Sequence, residues 1–184
     1  MSIRPIADEL PVVRRIVTGI DTEGRSFFVE DGPPPKVLSV PERPGYRNMN
    51  LWRLLAQSRI DDPDTIIQHQ GILPPPGGLV MRVIDVPPLP KDPAEAHRQA
   101  AAMFARMFPD AKYETGSHRS SGMHLTDTID FAIVLAGEIV AIMDKGETLM
   151  RQGDILIQRG TNHAWENRTD QVARMLFILC DSER

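Results

Sequence analysis

The sequence predicts an all-β protein, an antiparallel sandwich or barrel with one short helix and a hairpin near its start. Three observations predict it. After Gly122, short apolar runs alternate with turn residues every eight to twelve positions. Sixteen prolines, grouped at Pro33–Pro35, Pro74–Pro76 and Pro87, Pro88 and Pro90, cut the earlier chain into pieces too short for long helices. One segment alone has helical spacing. The length of 184 residues suits a single structural domain, which buries roughly 70% of its unfolded surface.

Each element has its own signal. Val12–Gly19 and Ser26–Glu30 flank Asp21-Thr-Glu-Gly-Arg25, which reads as a hairpin with glycine in the turn. Residues 36–73 have no clear period, and Leu51–Leu55 fits a strand or a short helix equally. Leu79–Val86 is a strand bounded by Gly-Gly and Pro-Pro. Residues 92–108 open with an Asp N-cap and a proline in the first turn. Ala96, Ala100, Met103, Phe104 and Met107 make one apolar face there, and Pro109 ends the helix. That helix packs on the body or on a partner, or it lies over a pocket. Strands follow at 130–136, 138–143, 148–150, 155–158, 164–167 and 173–180. The organisation expected is an N-terminal arm with an irregular proline-rich segment over 1–78, then a barrel over 79–184 with the 92–108 helix inserted.

Composition narrows the function. The net charge of −4, without a basic cluster, argues against nucleic acid as a partner. No apolar run approaches the roughly 20 residues that span a bilayer. Charged residues among the first ten positions leave no room for a signal peptide's apolar stretch. A single cysteine, Cys180, fits a reducing compartment and reads as a strand filler, so a cytoplasmic location is expected. No phosphate-binding glycine loop, nucleophile elbow or Cys-x-x-Cys pair is present.

The chemistry lies in the last third. His124, Asp130 and His163 could form a face of two imidazoles and one carboxylate, which leaves coordination positions open for water, substrate or O₂. His124-Leu-Thr126-Asp-Thr-Ile-Asp130, six residues and Gly137 are followed by Gly153, then Gln158-Arg-Gly160-Thr-Asn-His163-Ala-Trp-Glu-Asn167. In these two motifs the chain resembles the cupin superfamily, small β-barrels of double-stranded β-helix, jelly-roll form. The spacing departs in places: Thr126 stands where cupins carry a second histidine, Asp130 replaces a glutamate, and Gln158 takes a proline position. Together with the Arg14–Gly19 hairpin and Asp31–Pro35, the motifs are similar to a subgroup of single-domain cupins found beside small-molecule metabolism.

The resemblance implies one divalent ion, iron, zinc, manganese or nickel, held by His124, Asp130 and His163. It implies an oxygenase, decarboxylase or isomerase acting on a small aromatic or carbonyl-containing metabolite. His118 or Asp127 would move the proton, and Arg119, Thr126, Phe131 and Trp165 would contact substrate. A non-catalytic ligand-binding barrel and metal-free acid–base catalysis by His124 and His163 are the alternatives. Arg159 and Tyr113 are weaker candidates for substrate contact, whereas His69 and His97 read as solvated surface residues. The apolar alternation of the 12–30 hairpin needs covering, and a homodimer is expected.

Overall fold

The computed structural model describes residues 10–183, so the first nine residues, where the signal-peptide argument applies, lie outside the described part. The predicted hairpin forms from β1 (Arg15–Ile20) and β2 (Ser26–Gly32), with Gly24 at φ 78° in its turn. The region without a clear period supplies β3 (Lys36–Ser39) and β4 (Arg47–Leu54), so the ambiguous Leu51–Leu54 stretch is strand. Then come β5 (Leu79–Val86), α1 (Pro93–Met107), β6 (Lys112–Tyr113) and β7 (His124–Leu125). The C-terminal run is β8 (Thr128–Ala136), β9 (Glu138–Met143), β10 (Glu147–Arg151), β11 (Ile155–Arg159), β12 (His163–Glu166) and β13 (Ala173–Asp181).

Two antiparallel sheets build the jelly roll. One has the order β10-β9-β12-β7-β6, the other β11-β8-β13-β5-β4-β3. The barrel's sheet therefore begins at Lys36 rather than at residue 79, because β4 pairs with β5 along its length. Sequence reasoning missed this because Asn48, Asn50 and Arg53 interrupt the apolar alternation of β4, and the register shifts between Asn50 and Trp52.

The core lies between the sheets. Val80, Ile84, Ala132, Val134, Met175, Phe177 and Leu179 point in from the larger sheet, and Ile139, Ala141 and Met150 from the smaller. Alternation decides this on β8, where Thr128, Asp130, Ala132 and Val134 are buried and Ile129, Phe131 and Leu135 are exposed. Gly137 joins β8 to β9 at φ 74°, and a side-chain carbon there would sit 3.1 Å from the Ala173 Cα. Only glycine suits both the angle and the gap.

Helix α1 forms as its sequence dictates: the Asp92 carboxylate accepts from the Ala94 N–H, and Ala96, Ala100, Met103, Phe104 and Met107 are its buried face. This face closes one end of the space between the sheets. On the outer face of the larger sheet, buried Asp85 pairs with Arg47 (2.6 Å) and Arg174 (2.6 Å). The same two arginines donate to the carbonyls of Leu10 and Pro11, which fixes the chain's entry. Arg15 packs over Trp52 and pairs with Asp64, which anchors the base of the hairpin. No helix among the described residues is long and apolar enough to cross a membrane.

Candidate functional site

Between the sheets, under α1, lies a cavity lined by residues of both sheets and of the helix. The smaller sheet contributes His124 and His163, which are direct partners in the β7–β12 ladder. Their ring centroids are 4.2 Å apart and the rings are tilted by 47°. Each Nδ1 faces a backbone carbonyl two residues earlier: Gly122 at 2.9 Å for His124 and Thr161 at 2.9 Å for His163. A carbonyl only accepts, so Nδ1 carries the hydrogen in each ring and Nε2 keeps its lone pair. Burial lowers the His124 pKa to about 4. Burial, reinforced by the neighbouring His124, lowers that of His163 to about 3. Both imidazoles are neutral at physiological pH.

The larger sheet contributes Asp130 on β8. Burial raises its carboxyl pKa to about 6, against a stabilising hydrogen bond from the Thr128 hydroxyl and the charge of Arg82. Its Oδ1 is buried without a hydrogen-bond partner. Thr126 reaches the Thr128 hydroxyl at 2.8 Å, so Thr126, Thr128 and Asp130 form a polar chain along one wall. The remaining wall is aromatic. Phe104 of α1 stacks on Tyr113 at 4.3 Å and lies 4.9 Å from the His124 ring. Trp165 meets His163 and Phe177 edge-on at 5.7 and 5.4 Å.

The structure thus brings His124, His163, Asp130, Thr126 and Trp165 to one cavity. It leaves the other candidates outside. His118 and Arg119 are exposed on the loop before β7, and Arg119 donates to the carbonyls of Met143 (3.2 Å) and Gly146 (3.0 Å), tying that loop to the β9–β10 turn. Asp127 pairs with Lys112 at 2.7 Å and is not among the residues that line the cavity. Phe131 faces outward because it is one residue out of phase with Asp130 on β8. His69 is buried rather than solvated and accepts from Arg82, while His97 is half-buried with both ring nitrogens facing carbonyls of Pro93 and Ser117.

Among the described residues no group of three or more His, Cys, Asp or Glu side chains lies close enough to share an ion. The two imidazoles are together, but Asp130 rises from the opposite sheet on a side chain one methylene shorter than the glutamate of the motif, and Thr126 offers no imidazole.

Sequence reasoning missed Arg43, Arg82 and Phe104 as cavity residues. Arg82 had a legible signal: it is the one charged residue at the inward parity of β5, in phase with Val80, Ile84 and Val86.

Residues 111–179 match the family model described as "Cupin domain", so this part of the chain is similar to cupins. Its relatives include the phomopsin biosynthesis cluster protein C' of Diaporthe leptostromiformis, 29% identical over 95% of this chain and 82% of that protein. The cupin-domain-containing oxidoreductase fogC of Aspergillus ruber is 28% identical over 96% of this chain and 76% of its own length. Oryzines biosynthesis cluster protein J of Aspergillus oryzae is 45% identical over 62 residues, 33% of this chain and 35% of that protein.

Proposed function

We propose that this protein is a cupin enzyme that moves protons on a small, largely apolar, carbonyl-containing metabolite held between its sheets. The observation that carries this reading is the pair of neutral imidazoles, each with its Nδ1 on a backbone carbonyl, lining one cavity with a buried carboxyl of the opposite sheet whose pKa is about 6. The relatives named for biosynthesis clusters and as oxidoreductases support a small-metabolite substrate.

The lining residues divide the work. The aromatic wall of Phe104, Trp165 and Phe177 takes the apolar body and excludes water. One Nε2 accepts a proton from a carbon or hydroxyl activated by the carbonyl. Two imidazoles this close cannot both be charged, so the neutral pair takes up at most one substrate proton at a time and returns it readily. Asp130, protonated in a sizeable fraction of molecules near pH 6, donates from the opposite face.

A second reading has its own support. Nδ1–H donation to carbonyls is also how metal-binding histidines are oriented, and two Nε2 lone pairs could take a divalent ion. Such an ion would supply Lewis-acid polarisation of a substrate oxygen. The protein offers it two imidazoles and no gathered third ligand.

The test is deuterium wash-in by NMR with a panel of small aromatic ketones and β-keto acids in D₂O. Exchange at the carbon beside the carbonyl, lost in His163→Ala, is the expected result. No exchange with any member would sink the enzyme reading and leave a ligand-binding barrel. Elemental analysis of both proteins, purified without an affinity tag, decides the second reading. A stoichiometric metal lost in the variant assigns the imidazole pair to an ion.

A further inference from the structure

Two arginines line the cavity, and neither meets a carboxylate among the described residues. Arg82 is 1% exposed. Its Nη1 donates to the Gly71 carbonyl (3.2 Å), and its Nη2 to the Ile72 carbonyl (2.9 Å) and His69 Nε2 (3.1 Å). All three acceptors are uncharged, because His69 is neutral, with its pKa lowered by burial to about 4. The Nε–H of Arg82 is buried with no partner at all. Half-buried Arg43 has a thioether, Met103 Sδ at 3.3 Å, and the Tyr46 ring at 5.0 Å. Among the described residues, no ion pair includes either guanidinium.

That arrangement is electrostatically incomplete. A guanidinium removed from water needs an anion or full hydrogen bonding, and an orphaned buried N–H is costly besides. The one carboxyl among the lining residues, Asp130, makes no ion pair with Arg82 and leaves its own Oδ1 unpartnered. The cavity is therefore a basic pole in an aromatic-lined space, with donors left over.

We propose that the cavity binds a small organic carboxylate on an apolar or aromatic body, with the Arg82 Nε–H and the Arg43 guanidinium receiving the carboxylate. The inference rests on the reading of this cavity as a small-molecule site and names the substrate class for it. Arg82 sits on β5 and Arg43 on the segment between β3 and β4, and the charges of both act on the Tyr46 hydroxyl, which also lines the cavity. The histidine pair lies on the facing sheet and meets the other part of the molecule. Charge-assisted hydrogen bonds to a carboxylate are short and strong in such a dry setting.

The experiment compares benzoate with its neutral isostere benzamide, titrated into the full chain at pH 7.5 and followed by arginine Nε–H NMR and calorimetry. Benzoate is expected to bind at least ~10-fold more tightly, as one charge-assisted bond implies, and to move the Arg82 Nε–H resonance. Arg82→Gln should abolish the preference. Because Arg82 is buried, Arg43→Gln provides a second variant, expected to weaken benzoate several-fold and benzamide not at all. Equal affinities for the two probes, or no binding of either up to ~10 mM, would overturn the proposal. Failure of deuterium wash-in with the benzoate preference intact leaves an anion-binding barrel. Wash-in without the preference removes the carboxylate assignment alone.

Discussion

His124 and His163 face each other across the β7–β12 pair, ring centroids 4.2 Å apart, each held by its Nδ1–H on a backbone carbonyl two residues before it. The backbone itself therefore sets the tautomer of both rings. No side-chain partner is needed to keep Nε2 basic, so replacing one ring leaves the other oriented.

His163→Ala is expected to lower wash-in about 100-fold, the usual worth of a positioned base. Burial lowers the His124 pKa, and His163 acts on it only through its backbone, which the variant keeps. His124 in the variant should therefore stay neutral and titrate below pH 6, which NMR of its ring carbons measures. An undiminished exchange rate would show that the imidazole pair is not the base.

Acid should destabilise the fold. His69 and His124 titrate at about 4 and His163 at about 3 when folded, below their ordinary 6.5. The unfolded chain binds those protons first, so this stability is complete above pH 6.5 and is lost as pH falls toward 4. Asp130 acts in the opposite sense, because its raised pKa lets the native state take a proton below pH 6. Three groups outweigh one, and the net loss between pH 7 and 4 is on the order of several kcal/mol. Thermal melts should show Tm falling steadily over that range; a flat profile would contradict the buried, neutral histidines.

The sequence made the C-terminal barrel legible because its strands alternate cleanly and its turns carry glycine, as at Gly137 and Gly153. It also located His124, Asp130 and His163, which do share a cavity. Orientation was harder. Asp127 and Phe131 lie close to Asp130 in sequence, yet Asp127 turns to Lys112 and Phe131 faces outward by the parity of its strand. Arg82 and Arg43 escaped notice because they come from elements distant in sequence, where a single arginine reads as surface charge. Their burial away from any described carboxylate partner is visible only once β4, β5 and α1 are folded together.

Asp85→Asn should be among the most damaging single changes. The carboxylate is fully buried and answers two arginines, Arg47 and Arg174, at 2.6 Å each. Removing its charge leaves two poorly solvated cations, a loss of about 3–5 kcal/mol. A denaturant midpoint unchanged within error would refute this. The same change should loosen the segment around Leu10 and Pro11, whose carbonyls those arginines also bind, and limited proteolysis there should quicken.

The outer face of the larger sheet carries the case for a second copy. Ile129, Phe131 and Leu135 of β8 are exposed beside Ile155 (64%) and Ile157 of β11, which is the sheet's edge strand. Beyond its anchor at Arg15, the hairpin likewise exposes Ile20, Phe27 and Phe28 (73%). An apolar sheet face next to an unpaired edge invites association, and a twofold axis lets the same patch cover itself. We expect a homodimer, with light scattering giving twice the 20.6 kDa of one chain. Ile155→Lys with Ile157→Lys should yield a folded monomer, since neither side chain contributes to the core. A monomeric mass for the unaltered protein would show that this apolar face stays open to water.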